Sequence, residues 1–414
     1  MKPTLKLAGL ALLSAFGLQP AALLAQGSLT PPGPPGPTML TLSQVEPRTP
    51  ITNTTAVIIS VPGSYYLTAN IAVTTGNAIT ITTNNVTLDL NGFTVSSTEA
   101  SPSGTGILLS GARNRITIRN GVIQGNVAYS GGTFTGSGFA YGINYTGLPH
   151  NVRVTDVSVS GCLDGGIVLR ANAATVVEDC TVDTVGGDGI AADSVANSVA
   201  YICGSYGIIA STANNSYGYT TGSSDGLYVS TAENCYGVSS TGTGVFAIYS
   251  ALNCYGASTS GNGLVAVNAG TCYGISSSAY GLMAVNAENC EGVASTSLGL
   301  YTTTANNCYG SGGGGYEGLL ADAAFGCYGI SDSYYGINAT LAGNCYGVST
   351  SGAGINAQNA YCCFGQSTSG YGIRVGVAAF SYADTTMGGG GFNSIILIGC
   401  QGTGFIYNYK YLMP

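Results

Sequence analysis

The stretch AENCYGVSSTGTGVFAIYSALNCYGAS, residues 232–258, contains the tetrapeptide NCYG twice, 19 residues apart. Small apolar residues alternate there with Ser, Thr and Gly, and Glu233 is its one charged residue. The spacing of the apolar residues fits neither the 3.6-residue period of a helix nor the two-residue period of a long strand. It is typical of short strands of two to four residues that turn corners between them.

The same unit recurs over more than 200 residues. Each repeat holds a Gly followed by Ile, Leu or Val, and these repeats are 23 or 24 residues apart before Ile190 and 18 or 19 after it. One coil of this kind cannot bury its apolar face alone, whereas a stack of copies can. The apolar residues that follow the Gly are Ile143, Ile167, Ile190, Ile208, Leu227, Val245, Leu264, Leu282, Leu300, Leu319, Ile337, Ile355 and Ile373, with Ile107 one 36-residue gap upstream.

The repeat predicts an all-β fold, a single-stranded parallel β-helix (β-solenoid) of about 15 coils that narrows from 23–24 to 18–19 residues per coil. Residues 55–200 would form the wider coils and residues 201–402 the narrower ones. Strand–crossover–strand units are right-handed as a rule, which favours a right-handed solenoid. The alternative is left-handed, because 18 residues equal three hexapeptides. At roughly 4.8 Å per coil the rod would be about 70 Å long.

The two ends of the chain have other compositions. Lys2 and Lys6 precede a short apolar run and small residues near Ala25, which predicts a secretory signal peptide over 1–25. The protein would then be secreted or displayed at the cell surface, in an oxidising environment. Residues 26–54 are rich in Pro and predict an extended arm or linker. Residues 403–414 are predicted to be a C-terminal cap or docking tail, since the last coil of a solenoid leaves an open sheet edge.

Charge limits the partners of the chain. Charged residues make up 7%, the formal net charge is −8, and the ten Lys and Arg form no basic cluster. Nucleic acid and anionic membrane surfaces are therefore not expected as partners. Past the N-terminus no apolar run is long enough to span a bilayer, so no transmembrane span is expected in the mature chain.

Three segments carry a family resemblance. They are GSYYLTANIAVTTGNAITITTNNVTLDLNGFTVSS (63–97), NRITIRNGVIQG (114–125) and NVRVTDVSVSGCLDGGIVLRANAATVVEDCTVDTVGGDGIAA (151–192). Their N-x-V/I-T-L/I-x-N/D-G motif, followed by Gly-Ile, resembles the right-handed parallel β-helix superfamily of pectin- and pectate-lyase-like and NosD-like proteins. The resemblance covers about 60–200 and extends by period alone to about 400. It implies a bacterial secreted repeat protein that faces extracellular polysaccharide, but no particular activity.

The resemblance leaves two functional hypotheses. The catalytic motifs of polygalacturonase-type members are absent, so no catalytic residue is expected. The first hypothesis is a secreted or cell-surface rod with a structural, adhesive or glycan-binding role, whose partner is a polysaccharide or another surface component. The alternative is a polysaccharide lyase or hydrolase, which needs two facing carboxylates, or a carboxylate with Arg or Lys, in one groove. Convergence of Arg170, Asp183 and Asp188 in a cleft would favour the enzyme.

One acidic segment, VVEDCTVDTVGGDGIAAD (176–193), is a candidate metal site. If Asp179, Asp183 and Asp188 lie on one face of adjacent coils, their oxygens could bind calcium; no other cofactor is expected. The alternative is structural. Asp188 and Asp225 both precede a Gly followed by Ile or Leu, where an Asp side chain accepts backbone N–H groups of a turn.

We call the Ile, Leu or Val that follows the Gly of each repeat the ladder residue. In most repeats a Cys stands eight residues after it. Ser198, Ser216 and Ser381 take the same position, and Ser would not replace a thiolate metal ligand in coil after coil. The pattern favours a column of buried, reduced thiols that pack as small hydrophobes. Disulfides between neighbouring coils are the alternative, since Cα atoms one rung apart lie within bonding range.

The residues around each Cys suggest a corner of the coil. An Asn usually precedes the Cys and is expected to stack on its copies. The following Tyr-Gly is predicted to be an outer corner, with the Val or Ile three residues after the Cys pointing inward. The tyrosines would stack either to fix the register or as a glycan-binding strip. They are Tyr217, Tyr236, Tyr255, Tyr273, Tyr309, Tyr328 and Tyr346.

Overall fold

The computed structural model describes residues 46–169, 173–387 and 389–403 and the backbone of 405–411. The predicted signal peptide, most of the Pro-rich arm and Arg170 lie outside the described residues. From Arg48 onward the chain forms one compact unit. Its described part is a parallel β-solenoid without helix, as the repeat predicts. It follows that no described helix could cross a membrane.

The strands up to the narrowing of the solenoid are β1 (Thr49–Ile51), β2 (Val57–Ile59), β3 (Gly63–Leu67), β4 (Ile71–Val73), β5 (Ile79–Ile81), β6 (Val86–Asp89), β7 (Thr94–Ser97), β8 (Thr105–Leu109), β9 (Asn114–Gln124), β10 (Asn126–Ser130), β11 (Thr133–Ser137), β12 (Tyr141–Tyr145), β13 (His150–Cys162), β14 (Gly165–Val168), β15 (Val176–Glu178) and β16 (Thr181–Val185).

The strands of the narrower coils are β17 (Ile190–Ala191), β18 (Ser194–Ala196), β19 (Val199–Cys203), β20 (Ile208–Asn214), β21 (Tyr217–Thr220), β22 (Leu227–Glu233), β23 (Tyr236–Ser239), β24 (Val245–Leu252), β25 (Tyr255–Ser258), β26 (Leu264–Gly270), β27 (Tyr273–Ser276), β28 (Leu282–Glu288), β29 (Glu291–Ala294), β30 (Leu300–Tyr301), β31 (Thr304–Asn306), β32 (Tyr309–Gly312), β33 (Leu319–Phe325), β34 (Tyr328–Ser331), β35 (Ile337–Gly343), β36 (Tyr346–Ser349), β37 (Ile355–Tyr361), β38 (Phe364–Ser367), β39 (Ile373–Ala379), β40 (Tyr382–Thr385), β41 (Phe392–Ile398), β42 (Gln401–Gly402) and β43 (Phe405–Tyr411).

The number of coils follows from one column of paired residues, which has one member in each coil. It runs through every residue of the Gly-Ile/Leu/Val series in parallel register, with Val57 and Ile79 before the series and Phe392 and Phe405 after it. The described residues thus form about 18 coils, more than the 15 predicted. The sequence count missed coils because an Ala precedes Val57 and Ile79, and because Phe replaces the aliphatic residue at 392 and 405. The ladder is roughly 80 Å long.

The wider coils vary in length because segments are inserted into them. Successive column residues Val57, Ile79, Ile107 and Ile143 are 22, 28 and 36 residues apart. The 36-residue gap is one coil that carries an antiparallel hairpin of β10 and β11. Gly131 and Gly132 join these strands with φ of 59° and 87°, the left-handed conformation that a two-residue hairpin turn requires.

Both ends of the ladder reach further than predicted. Thr49–Ile51 pairs with Tyr65–Leu67, so the first coil begins inside the segment predicted to be a linker. At the other end, β43 pairs in parallel with β41 as one more coil. The segment predicted to cap the ladder therefore extends it. Its sequence FIYNYKY is rich in β-forming aromatic residues, which favour strand pairing at an open edge.

Each narrow coil has three sides, which β26 and β27 illustrate. Leu264–Ala266 forms the first side and Asn268–Gly270 the second, and Val267 at the bend between them is skipped by the ladder register. Tyr273–Ser276 forms the third side. From Ile190 to Phe392 the ladder residue of each narrow coil is completely buried, and Ala, Cys, Gly and Ser, joined in some coils by a second aliphatic residue such as Val229 or Leu397, fill the rest of the core. One or two large side chains per coil are therefore enough.

The corner before the third side lies at the Asn, not at Tyr-Gly as predicted. Asn215, Asn234, Asn253, Asn289, Asn307 and Asn344 have φ between 47° and 53°. This left-handed conformation is one that Asn tolerates better than most residues. The Gly after each Tyr lies within a strand and faces inward.

A Gly is required at this position because two walls of the coil approach each other closely across the core. A Cβ on Gly256 would come within 2.2 Å of the Gly263 carbonyl oxygen on the opposite wall. Because Gly256 points inward, Ala257 and its equivalents, including Val238, lie half-buried on the outer face beside the tyrosines. The prediction that these residues face the core is therefore wrong.

Candidate functional site

The tyrosines of the third side stack in a column, as predicted. The ring centroids of Tyr236 and Tyr255 are 4.3 Å apart with planes 1° from parallel. Tyr217 and Tyr273 extend this stack with centroid distances of 5.1 Å on either end. A second run of rings begins at Tyr309, which is tilted 56° from Tyr328 at 5.4 Å, and its Tyr328 and Tyr346 rings are stacked 4.8 Å apart at 5°. Glu291 lies between the two runs of rings.

Stacking decides what the tyrosines present to solvent. Rings that lie face to face along the rod cover each other's faces and leave mainly their edges and hydroxyls exposed. A sugar ring packs on an open aromatic face, and Tyr236 and Tyr255, which are stacked on both sides, offer none. The geometry of Tyr217, Tyr236, Tyr255 and Tyr273 thus favours register-fixing self-stacking over a glycan platform.

The thiols form a column of free cysteines inside the corner. All described cysteines are free, and all are buried except Cys362. The Cys254 Sγ lies 3.2 Å from the carbonyl oxygen of Leu252, two residues earlier, and the Ser216 hydroxyl donates at 2.8 Å to the equivalent Asn214 carbonyl. The two residue types exchange because both donate to the same carbonyl, which also accepts a backbone N–H of the neighbouring coil. Burial raises the pKa of Cys162 to about 12, so this thiol is unreactive at neutral pH.

The asparagines at the corner form hydrogen-bonded pairs. The Asn253 Nδ2 donates to Asn234 Oδ1 at 3.3 Å, and Asn215 donates to Asn197 over the same distance. The predicted stacking of these side chains is confirmed for these pairs, and it adds side-chain bonds to the backbone ladder.

The three candidate calcium ligands lie at three different places in the coil. Asp179 occupies the left-handed corner with φ of 54°, and Asp183 is exposed on β16 beside Thr184. Asp188 lies in a turn, where its carboxylate accepts the backbone N–H of Tyr206 at 3.3 Å. Among the described residues no group of three or more His, Cys, Asp or Glu could hold a metal ion.

Among the described carboxylates, Asp89 comes closest to the arrangement that an enzyme would need, a carboxylate beside Arg or Lys. Its Oδ2 is 3.3 Å from Arg48 and 3.1 Å from Arg119, and its Oδ1 accepts the Asn91 N–H at 2.8 Å and the Asn120 amide at 3.2 Å. Arg48 also lies 4.7 Å from the Tyr66 ring centroid. Because both oxygens already accept hydrogen bonds, Asp89 is engaged as a structural link between neighbouring coils and is not free to act as a base.

An apolar strip on the first side was not predicted. It consists of Phe246, Val265, Met283 and Tyr301 on the outer face, with Ile248, Val267 and Val285 at the bend. The bend residues are exposed, with Val285 the most accessible at 45%. These residues line a shallow groove of about 390 Å³. Contiguous exposed apolar surface of this kind marks binding sites more often than scattered apolar residues do.

A polar strip lies across the bend, on the second side. Its residues Ser250, Asn268, Asn286 and Thr304 line a second groove of about 400 Å³ together with Glu288 and Asn306. Asn286 Nδ2 donates to Asn268 Oδ1 at 2.9 Å, and Thr304 donates to Asn286 Oδ1 at 3.1 Å. The side chains are thus held in a line parallel to the solenoid axis.

Sequence reasoning missed both strips because it followed the inward positions. The sequence does contain one indication of the apolar strip. The residue directly after the ladder residue is large and apolar in three successive coils, at Phe246, Val265 and Met283, whereas along the whole chain this position holds both polar and apolar residues. The apolar residues at the bend, the fourth position of each long strand, form a second column beside this one. That arrangement becomes visible only when the position of the bend is known.

Comparison with known proteins adds no functional information. No family model, no curated protein and no solved structure matches the chain.

Proposed function

We propose that the protein is a non-catalytic, secreted or cell-surface β-solenoid that binds an extended glycan lengthwise along its middle coils. The observation that carries the proposal is the contact of the apolar strip with the polar strip across one bend. A sugar ring has an apolar C–H face and a rim of hydroxyls. A surface that offers Val267 and Val285 beside Asn268 and Asn286 matches both features.

The repeat of the solenoid supports a polymeric ligand. Successive coils are about 4.8 Å apart, close to the length of one hexose in an extended polysaccharide. A glycan laid along the axis would meet equivalent side chains at each sugar. Small affinities per sugar then add over the length of the groove.

The place of the protein in the right-handed β-helix superfamily is part of the same proposal. It rests on the three N-terminal segments whose motif the superfamily shares, and the signal-peptide pattern of residues 1–25 supports the extracellular location. The lyase or hydrolase alternative has less support, because the Arg-paired carboxylates Asp89 and Glu178 are both engaged in ion pairs.

A glycan array probed with residues 26–414, with release of products monitored, tests the proposal. Binding without products is the expected result. The double variant Val267→Ser, Val285→Ser should bind at least about tenfold more weakly, since both exposed contacts are lost. The matched control is Ile395→Ser, which changes an exposed residue at the same bend position outside the strip.

Four outcomes would contradict this function. Unchanged binding by the double variant would exclude the apolar strip. Loss of binding in Tyr255→Phe with intact folding would move the site to the tyrosine column. Release of shortened glycans would favour the enzyme. Absence of binding to any glycan on the array would overturn the glycan ligand altogether.

A further inference from the structure

The tyrosine column has one interruption. From Tyr217 to Tyr382 each coil of the third side places Tyr or Phe at the same register position, except the coil of Glu291. Glu291 pairs directly with Tyr273 on one side and with Tyr309 on the other. A carboxylate therefore replaces one ring in a continuous aromatic stack.

At the interruption neither Tyr273 nor Tyr309 has a ring neighbour on the Glu291 side. Tyr273 stacks on Tyr255 at 5.1 Å, and Tyr309 contacts Tyr328 at 5.4 Å, each on the side away from Glu291. Tyr273 and Tyr309 are two coils apart, or roughly 9.6 Å along the axis. Between them lies a notch one coil wide, occupied by Glu291, and the Tyr309 ring at its far side is tilted 56° from the Tyr328 ring.

The carboxylate in this notch is half-buried, and it has no hydrogen bond or ion pair with any described residue. It is the direct register neighbour of Tyr273 and Tyr309, and burial, followed by the negative charge of Glu291, raises the pKa of Tyr273. A carboxylate without a protein partner beside aromatic rings is free to pair with a bound cation.

We propose that Tyr273, Glu291 and Tyr309 bind a compact organic cation, of the guanidinium, alkylammonium or quaternary ammonium type. A cation midway between the two rings would be about 4.8 Å from each centroid, within the roughly 6 Å over which an aromatic face attracts a positive charge. Glu291 supplies the counter-charge at the same place. The negative charge of the whole chain, −8, attracts cations to the surface.

The chemistry of the notch excludes other ligands. An anion would be repelled by Glu291, and a neutral sugar would leave the carboxylate charge unpaired. Calcium needs six or more oxygen ligands, whereas the notch offers one carboxylate and two phenol rings. The site lies on the third side, away from the apolar and polar strips, and its occupation does not depend on glycan binding.

The test is a titration of the whole protein with tetramethylammonium and with methylguanidinium. The NMR signals of labelled tyrosine rings report binding, and Phe replacement assigns Tyr273 and Tyr309. Both signals should shift and saturate. The variant Glu291→Gln, which keeps the size but removes the charge, should bind about tenfold more weakly.

Two further variants sharpen the test. Glu291→Tyr completes the aromatic column, so it should abolish binding and also raise the melting temperature. Asp332→Asn removes an exposed carboxylate from the turn between β34 and β35 and should leave binding unchanged. The proposal is overturned if Glu291→Gln binds as the parent does, if Asp332→Asn weakens binding equally, or if neutral tert-butanol produces the same shifts.

The source of the cation is resolved by two larger probes. Acetyl-Gly-Arg-Gly-amide represents a side chain of a protein partner, and phosphocholine represents a headgroup or other small molecule. Tighter binding of either one supports the notch and identifies its source. Failure of both, together with failure of the two simple cations, overturns it. Neither result bears on the glycan array, so the two proposals fail independently.

Discussion

The wide coils before Ile190 and the narrow coils after it fill their cores in different ways. Large aliphatic residues such as Leu67, Ile79, Leu88 and Ile116 pack the wide coils and are completely or almost completely buried. A narrow coil holds only one or two large apolar residues beside Ala, Cys, Gly and Ser. The wide coils are thus stabilised mainly by apolar burial, and the narrow coils mainly by the closeness of their walls and by hydrogen bonds.

The largest expected effect is that of added volume in a narrow coil. Gly256→Ala would place a Cβ 2.2 Å from the Gly263 carbonyl oxygen, so one wall must move. We expect a loss of about 3 kcal/mol or more in the free energy of unfolding, measured by chemical denaturation. The control is Gly270→Ala, where the nearest atom is the end of the Leu252 side chain at 3.0 Å, and about 1 kcal/mol or less should be lost. Equal losses would show that wall spacing does not limit the narrow coil.

Replacing a thiol by a hydroxyl should separate the two regions. Cys162 of the wide coils is completely buried, and its nearest acceptor, the Ser160 carbonyl, is 3.9 Å from Sγ. The shorter Ser side chain would leave its hydroxyl unpaired, at a cost of about 2 kcal/mol. Cys272→Ser in a narrow coil has the Gly270 carbonyl 3.3 Å from Sγ, so the loss should stay under about 1 kcal/mol. Thermal unfolding of both variants measures the difference, and a reversed order would contradict this account.

A buried Ser of the third side tests the role of hydrogen bonds. The Ser258 hydroxyl donates to the Gly242 carbonyl at 2.6 Å and accepts the Gly261 N–H at 2.9 Å, which joins one coil to the turn of the previous coil. Ser258→Ala should cost about 1–2 kcal/mol, measured by denaturation, because both groups lose a partner. The equivalent residue in another coil is Ala294, so Ala294→Ser is the reverse experiment and should not destabilise. A neutral Ser258→Ala would remove this explanation of the Ser column.

The smallest expected effect on the free energy of unfolding comes from removing the charge of one half-buried carboxylate, Asp225. Burial raises the pKa of Asp225, whose carboxylate accepts the Thr243 N–H at 2.7 Å. The protonated form is favoured on folding, so this stability is present below the unfolded pKa of about 3.9 and is lost as pH rises through the folded pKa. Asn262 occupies the equivalent turn of a later coil and accepts a backbone N–H in the same way.

Asp225→Asn should therefore keep the hydrogen bond and lose the charge. We expect a gain of about 0.5 kcal/mol at pH 7, limited by solvent screening, and none at pH 3. Unfolding curves at the two pH values check the sign. A gain that is larger at pH 3 would contradict it.

The fold could be predicted because the ladder residue is specified coil by coil. Gly followed by Ile, Leu or Val marks a completely buried side chain at a constant interval, and a solenoid is the structure that stacks it. The details depend on the thickness of the core, which a single sequence does not contain. Gly256 could equally serve a bend or a close contact, and only the position of Gly263 opposite decides between them.

The candidate sites were harder to predict for a related reason. The tyrosine column was expected, but whether its ring faces are open depends on ring orientation, which residue spacing does not fix. The apolar strip depends on a bend at Val267 that no residue type announces. The charge of Glu291 becomes informative only when Tyr273 and Tyr309 are known to be its direct neighbours.

The in-register columns make the length of this protein a quantity that changes in steps. From Ile190 to Phe392 each coil meets nearly the same side chains above and below, so a coil can be removed or duplicated without creating a new kind of contact. Deleting residues 264–281 would join Gly263 to Leu282, which already follows a Gly in the same register. The solenoid would shorten by one step of about 4.8 Å. Selection can thus adjust the reach of the protein by whole coils while the chemistry of its faces stays the same.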